Sequence, residues 1–162
     1  MRRIVLDANA VIMHGRSFSN RTRTAARQGE RIILPRAVKQ ELVDDVLSSE
    51  DAPANHNDSA RAIQELIDEG ILNAQTPDFE EYSSVIDEAR QRIADESLPE
   101  HAVQADQYIP ALVCELATDG TVCLITADSK LRTIVNDITT RRGINERVNL
   151  EDPMTVLSVT HG

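Results

Sequence analysis

The sequence of 162 residues is poor in several things at once, and each scarcity closes off a class of protein. It has no tryptophan, and Phe18, Phe79, Tyr82 and Tyr108 are its only aromatic side chains. The platforms on which single-stranded bases stack are therefore missing. Its two cysteines, Cys114 and Cys123, sit in apolar runs without Cys-x-x-Cys spacing. That excludes a disulfide scaffold, and both are expected to be reduced core residues. His14, His56, His101 and His161 show no paired ligand spacing, which argues against a zinc enzyme. A glycine-rich phosphate loop and a Ser-His-Asp order on recognisable turns are also absent. No apolar stretch approaches the ~20 residues of a membrane-spanning helix, and the start Met1-Arg2-Arg3 lacks the apolar run of a secretory signal. The expectation is a soluble, cytoplasmic protein without a membrane partner.

Lysine is the other scarcity: Lys39 and Lys130 are the only two, so nearly all positive charge is arginine. Against 17 basic residues stand 27 acidic ones, a formal charge of -10. Such a balance ordinarily opposes nucleic-acid binding, which rewards cations that neutralise phosphates. Acids spread along the whole chain with little lysine resemble the composition of extreme halophiles, where the acidic surface is an adaptation to solvent. Between Met13 and Gln40 the balance reverses. Arg16, Arg21, Arg23, Arg27, Arg31, Arg36 and Lys39 face the single acid Glu30, a net +6, which leaves -16 for the rest of the chain. This window reads equally as a solvated arginine-rich segment or as a phosphate-binding patch.

The pattern that is present is α/β. Ile4-Val5-Leu6, Ile32-Ile33-Leu34 and Val122-Cys123-Leu124-Ile125 are short continuous apolar runs. Strands buried on both faces of a parallel sheet look like this. Val148-Asn149-Leu150 is a weaker fourth candidate. Between them lie helical patterns: from Pro35 through Val38, Leu42 and Val46; from Asn57 or Asp58 to Gly70; from Thr76-Pro77 to before Pro99; from Ile109 to Gly120; and from Ser129 to about Arg142, with a short one from Asp152-Pro153. Ser48 to Asn57 reads as a loop. With no repeat, low-complexity tract or linker, residues 1–162 are expected to form one domain: a three-layer sandwich with a central, mainly parallel sheet flanked by helices.

In such a sheet the ligand crevice lies beyond the carboxyl ends of the strands. Four acids point there. Asp7 ends the first strand, Asp128 follows the Val122–Ile125 strand, Glu41 lies on the helix leaving the second strand, and Asp106 sits where a helix leading back to the sheet begins. Each also suits a bland role: Asp128 and Asp106 as helix caps, Asp7 in an Asx-turn, Glu41 as a solvated helix residue. Jointly they converge on one edge of the sheet. Carboxylates crowded together resist ionisation unless a cation neutralises them, and hard ions such as Mg²⁺ and Mn²⁺ prefer oxygen ligands. Ions so held activate water and hold a phosphodiester in line, the chemistry of a nuclease. Asn9, Thr126 and Ser129 lie beside the same strand ends, where they suit either support of the site or purely structural bonds. Arg16 and Arg36 are the candidates for holding the phosphates of such a substrate.

The blocks Ile4-Val5-Leu6-Asp7-Ala8-Asn9-Ala10-Val11-Ile12, Leu34-Pro35-Arg36-Ala37-Val38-Lys39-Gln40-Glu41-Leu42 and Leu124-Ile125-Thr126-Ala127-Asp128-Ser129, with Asp106 opening a helix between them, resemble PIN-domain ribonucleases. The likeness is greatest to the VapC-type toxins of toxin–antitoxin pairs. It implies a Mg²⁺- or Mn²⁺-dependent endoribonuclease with Asp7, Glu41, Asp106 and Asp128 as its acidic cluster. Asn9 and a hydroxyl at Thr126 or Ser129 would support the site, and water would leave a 5′-phosphate and a 3′-hydroxyl. The resemblance further implies a homodimer and an antitoxin that inserts a peptide near the acids. Two departures stand out: the segment from about Ser48 to Glu100 is longer than in compact toxins, and Pro110 lies in the helix expected to follow Asp106.

Three other readings compete. A ribosomal RNA processing nuclease fits the same residues as a toxin. A haloacid-dehalogenase-like phosphatase also places an acid after its first strand, but usually needs a second acid two residues on, where this chain has Asn9. A non-catalytic RNA- or protein-binding domain would keep the fold and rest on the arginine window.

Overall fold

The computed structural model describes residues 3–94 and 106–153. Five strands form one sheet: β1 (Arg3–Leu6), β2 (Arg31–Pro35), β3 (Leu72–Gln75), β4 (Val122–Ile125) and β5 (Val148–Glu151). Their order is β3-β2-β1-β4-β5 and every pairing is parallel. Alternation along the strands divides the core in two. Ile4, Leu6, Ile32, Leu34, Cys123 and Ile125 pack on one face with Phe18, Ala25, Ile63 and Leu66. Val5, Ile33, Val122 and Leu124 pack on the other with Leu112, Val113, Leu131 and Val135. Burial on both faces is what the unbroken apolar runs require.

The first face is covered by α1 (Ala8–His14), α2 (Phe18–Arg27), α3 (Arg36–Lys39), a π-helical turn (Gln40–Asp44), α4 (Asp45–Leu47) and α5 (Ala54–Asp68). The second is covered by α7 (Ile109–Thr118) and α8 (Ser129–Arg141), and α6 (Ser83–Ala94) packs on the outer side of these two helices. Tyr82, Val85, Ile86 and Ala89 form a further apolar layer against Ala111, Cys114, Ile134 and Ile138. At its edge Arg92 pairs with Glu88 and Asp137, and Arg141 with Glu88, tying α6 to α8. The three-layer α/β sandwich expected from the strand and helix pattern is the fold observed. Both cysteines are buried, and neither is part of a disulfide. No helix among the described residues is long and apolar enough to cross a membrane.

Several boundaries differ from the sequence reading, each for a local reason. The strand β3 was not expected, since of its four residues only Leu72 is a buried large apolar side chain. The helix expected from Asn57 or Asp58 starts at Ala54, with extended Pro53 as its cap, so the loop after Ser48 is shorter. α6 starts at Ser83 rather than near Thr76-Pro77, because Asp78 Oδ1 accepts the amides of Glu80 and Glu81 and holds a turn there. Pro35 closes β2 and caps α3 instead of occupying its first turn. The expected stop before Pro99 and the short helix from Asp152-Pro153 fall wholly or mostly outside the described residues.

The strand order places the sheet's switch point between β1 and β4. The chain runs from β1 outward to β2 and β3, then crosses over to β4 and β5 on the other side. In open parallel sheets, ligand crevices form at the carboxyl ends of strands where the direction of winding reverses.

Candidate acidic site

Asp7 and Thr126 meet there because of register. Leu6 pairs with Ile125, so the next residues on β1 and β4 lie side by side. Both are buried, Asp7 3% and Thr126 0% exposed. The Thr126 hydroxyl accepts the Asp128 backbone N–H at 3.0 Å. Its own proton is thereby left to donate, and it donates to Asp7 Oδ2. Asp7 Oδ1 accepts the Ala10 N–H at 2.7 Å, which makes Asp7 the N-cap of α1. Asp128 Oδ1 accepts the amides of Lys130 and Leu131 at 2.9 and 3.2 Å and caps α8. The bland role and the functional one thus coexist: both carboxylates sit at helix N-termini, where amide dipoles favour negative charge.

Charge is nonetheless crowded. Burial pushes the Asp7 carboxyl above its usual range and the neighbouring Asp128 adds to this, against the lowering hydrogen bonds of Thr126 and Ala10. Asp106 is pushed up to about 7, first by burial and then by Asp7, Asp128 and Glu41. The four acids singled out from sequence therefore share one electrostatic neighbourhood. Among the described residues no group of three or more His, Cys, Asp and Glu side chains is close enough to hold a metal ion. The donor set itself, four carboxylates and a hydroxyl, is all oxygen and fits a hard divalent cation rather than zinc.

Glu41 and Asp106 reach this neighbourhood differently: Asp106 is helical and precedes the turn Gln107-Tyr108. Glu41 lies in the π-helical turn Gln40–Asp44, not on a regular α-helix as expected. A π turn adds a residue to the repeat and re-aims the side chains that follow, so Val43 is buried while Leu42 is only half-buried. Asp106 neither opens nor caps the helix after it: α7 begins at Ile109 with Tyr108 as a cap that makes no side-chain bond. Pro110 lacks an N–H and is accommodated in that first turn. Sequence reasoning missed what anchors the Asp106 turn. Buried Gln107 accepts from Arg90 Nε of α6 at 2.6 Å, and no motif signals such a bond.

The supporting residues divide. Thr126 is wired to two acids, whereas Ser129 and Asn9 are exposed in the first turns of α8 and α1. The arginine window is not one patch. Arg31 starts β2 at the amino edge of the sheet and Arg36 follows the strand at its carboxyl edge. Arg23 pairs with Glu69 at 2.6 Å, Arg21 Nη1 lies 2.7 Å from Nδ1 of buried His14, and Lys39 pairs with Asp44 at 2.8 Å. Burial, and then the Arg21 charge, lower the His14 pKa, so the ring meets that guanidinium as a neutral acceptor. Of the window, Arg16, Arg27, Arg31 and Arg36 are exposed, and Arg36 lies at the carboxyl edge of the sheet.

Arg16 also lines an apolar groove of about 620 Å³ formed with Val11, Ile12, Leu42, Val46 and Ile63. None of the four acids lines it.

The fold has solved counterparts. VapBC-1 from nontypeable Haemophilus influenzae superposes with a TM-score of 0.53 at 16% identity, covering 94% of this chain and 99% of that one. VapBC2 from Rickettsia felis, in a structure bound to a DNA fragment from their promoter, gives 0.55 at 15% identity, covering 93% and 98%. No curated protein matches the sequence. The family model described as the halobacterial PIN domain matches residues 1–161, and with the acids ordered along the chain and gathered at the switch point as above, this chain belongs to that PIN-domain family.

Proposed function

We propose that the protein is a divalent-metal-dependent endoribonuclease whose site is Asp7, Glu41, Asp106 and Asp128. The observation that carries this reading is the bonded unit of Asp7, Thr126 and Asp128 across β1 and β4, with Asp106 and Glu41 facing it. Asp7 and Asp128 are the residues that would hold Mg²⁺ or Mn²⁺, joined by Glu41 and Asp106. A bound ion would supply Lewis acidity and a more acidic water. The chain's own contribution is orientation. Amides at two helix N-termini and the Thr126 hydroxyl fix the orientation of the Asp7 and Asp128 carboxylates. Arg16 and Arg36 would hold the RNA backbone, with Asn9 and Ser129 exposed beside the carboxyl ends of β1 and β4.

Incubation of the purified protein with a mixed RNA ladder tests this. Cleavage with Mg²⁺ or Mn²⁺ that stops with a chelator and yields 5′-phosphate ends is the expected outcome. RNA retention without cleavage would favour the binding-domain reading, and hydrolysis of an aryl phosphate alone would favour the phosphatase.

A toxin role under antitoxin control has one supporting observation of its own. The apolar groove beside α1 and the exposure of Ile12 (60%), Met13 (46%) and Leu47 (41%) suit a partner segment of apolar chemistry. Ribosomal RNA processing and a homodimer are compatible with the same surface. Co-expression with the protein encoded by the neighbouring reading frame separates the roles: growth arrest relieved by that protein marks a toxin.

A further inference from the structure

The carbonyl of Thr126 has lost its natural partner. In the β4–β5 ladder the Thr126 N–H donates to the Glu151 carbonyl at 3.1 Å. With Ile125 paired to Glu151, the next rung would bring the N–H of residue 153 to the Thr126 carbonyl. Residue 153 is proline, which has no N–H, and it is buried. An unsatisfied backbone acceptor on a fully buried residue is costly. The missing bond is made from another element: Arg132 Nε, one turn into α8, donates to the Thr126 carbonyl at 3.0 Å. Arg132 is itself held in register with the site, because its backbone N–H donates to the Asp128 carbonyl at 3.1 Å.

We propose that Arg132 is a positioning residue of the acidic site. By replacing the bond that Pro153 cannot give, it clamps the Thr126-Ala127-Asp128 turn and so holds the Thr126 hydroxyl between Asp7 and Asp128. This rests on the nuclease reading for its effect on catalysis, but not for the clamp itself. Arg132 acts through Thr126, so its loss loosens the relation of the two acids without removing a ligand. Small displacements of this kind weaken turnover more than binding.

The test uses the full chain, with RNA cleavage kinetics in Mn²⁺ and hydrogen exchange of the Asp128 amide measured without metal. Arg132→Ala is expected to lower kcat about ten- to a hundredfold while KM moves less than about twofold. Exchange at Asp128 should quicken about tenfold, as for loss of one supporting hydrogen bond. Pro153→Ala restores the backbone donor. Alone it should leave kcat and exchange as in the wild type, and combined with Arg132→Ala it should return most of both. Arg132→Met keeps the apolar stem and serves where the alanine variant fails to fold, with the same losses and the same recovery expected. A raised KM with unchanged kcat would mean a direct phosphate contact and would overturn the proposal. So would unchanged exchange at Asp128, or losses that Pro153→Ala does not repair. If the wild type cuts no RNA, the nuclease reading fails on its own. The exchange measurements then decide for or against the clamp.

Discussion

The two halves of the acidic site are built differently. Asp7 and Asp128 stand at the ends of neighbouring strands whose pairing fixes them, and amides at helix N-termini and Thr126 bond to them. Glu41 arrives on a π turn, and Asp106 on a helical residue next to the turn Gln107-Tyr108, which the Arg90–Gln107 bond holds. A ladder position cannot slip by one residue without turning the whole strand face outward, so the first pair is rigid by construction. Irregular helical turns carry no such constraint. The strand-end pair is therefore the fixed part of the site, and the helical pair is the less constrained one.

Substitutions can break this contrast. The largest effect is expected from Asp7→Asn, which should lower RNA cleavage about a thousandfold or more while folding stability in metal-free buffer stays equal or rises slightly. Glu41→Gln should cost less, about ten- to a hundredfold; equal losses at both positions, measured by single-turnover cleavage, would erase the distinction. Thr126→Val tests the link between the strands. It strands Asp7 Oδ2 and the Asp128 N–H without a partner and should reduce unfolding free energy by about 1–3 kcal/mol, with Thr126→Ser recovering most of it in denaturant titrations.

A smaller effect concerns pH. The Asp106 carboxyl, at about 7 in the folded protein, lies above its ordinary value, so between that value and about 7 the folded state binds more protons than the unfolded one. Stability in metal-free buffer is therefore expected to be greater near pH 5 and to fall as pH rises through 7, each kcal/mol lowering Tm by about 2–4 °C. Asp106→Asn should flatten that slope, and a wild-type Tm that rises over the same interval would contradict the crowding. The smallest contrast is between arginines at opposite edges of the sheet. Arg36→Ala should weaken RNA binding modestly and reduce its salt slope by about 1, whereas Arg31→Ala should leave both unchanged.

Much of the strand-end half was legible in the sequence, and the helical half was not. Ile4-Val5-Leu6 and Val122–Ile125 are apolar at every position, which only a strand buried on both faces demands, and Asp7 and Asp128 then follow at known ends. The meeting of Asp7 with Thr126 needed the register, which no single strand reveals. β3 escaped notice because Asn73 and Gln75 interrupt the apolar run of an edge strand that is buried mainly at Leu72. The π turn at Glu41 left no trace, since propensity does not distinguish a π repeat from an α repeat. The arginine window misled for a simpler reason. Arg31 and Arg36 are near in sequence, but a five-residue strand at about 3.3 Å per residue carries them to opposite edges of the sheet.

We propose that Asp7 and Asp128 share a divalent ion. Calorimetric titration of Mn²⁺ into the metal-free protein, beside Asp7→Asn, Asp128→Asn and the double variant, tests this. A shared ion gives saturable binding in the wild type, a large loss in each single variant and little further loss in the double. Binding that survives both substitutions, or losses that add as for independent sites, would contradict it.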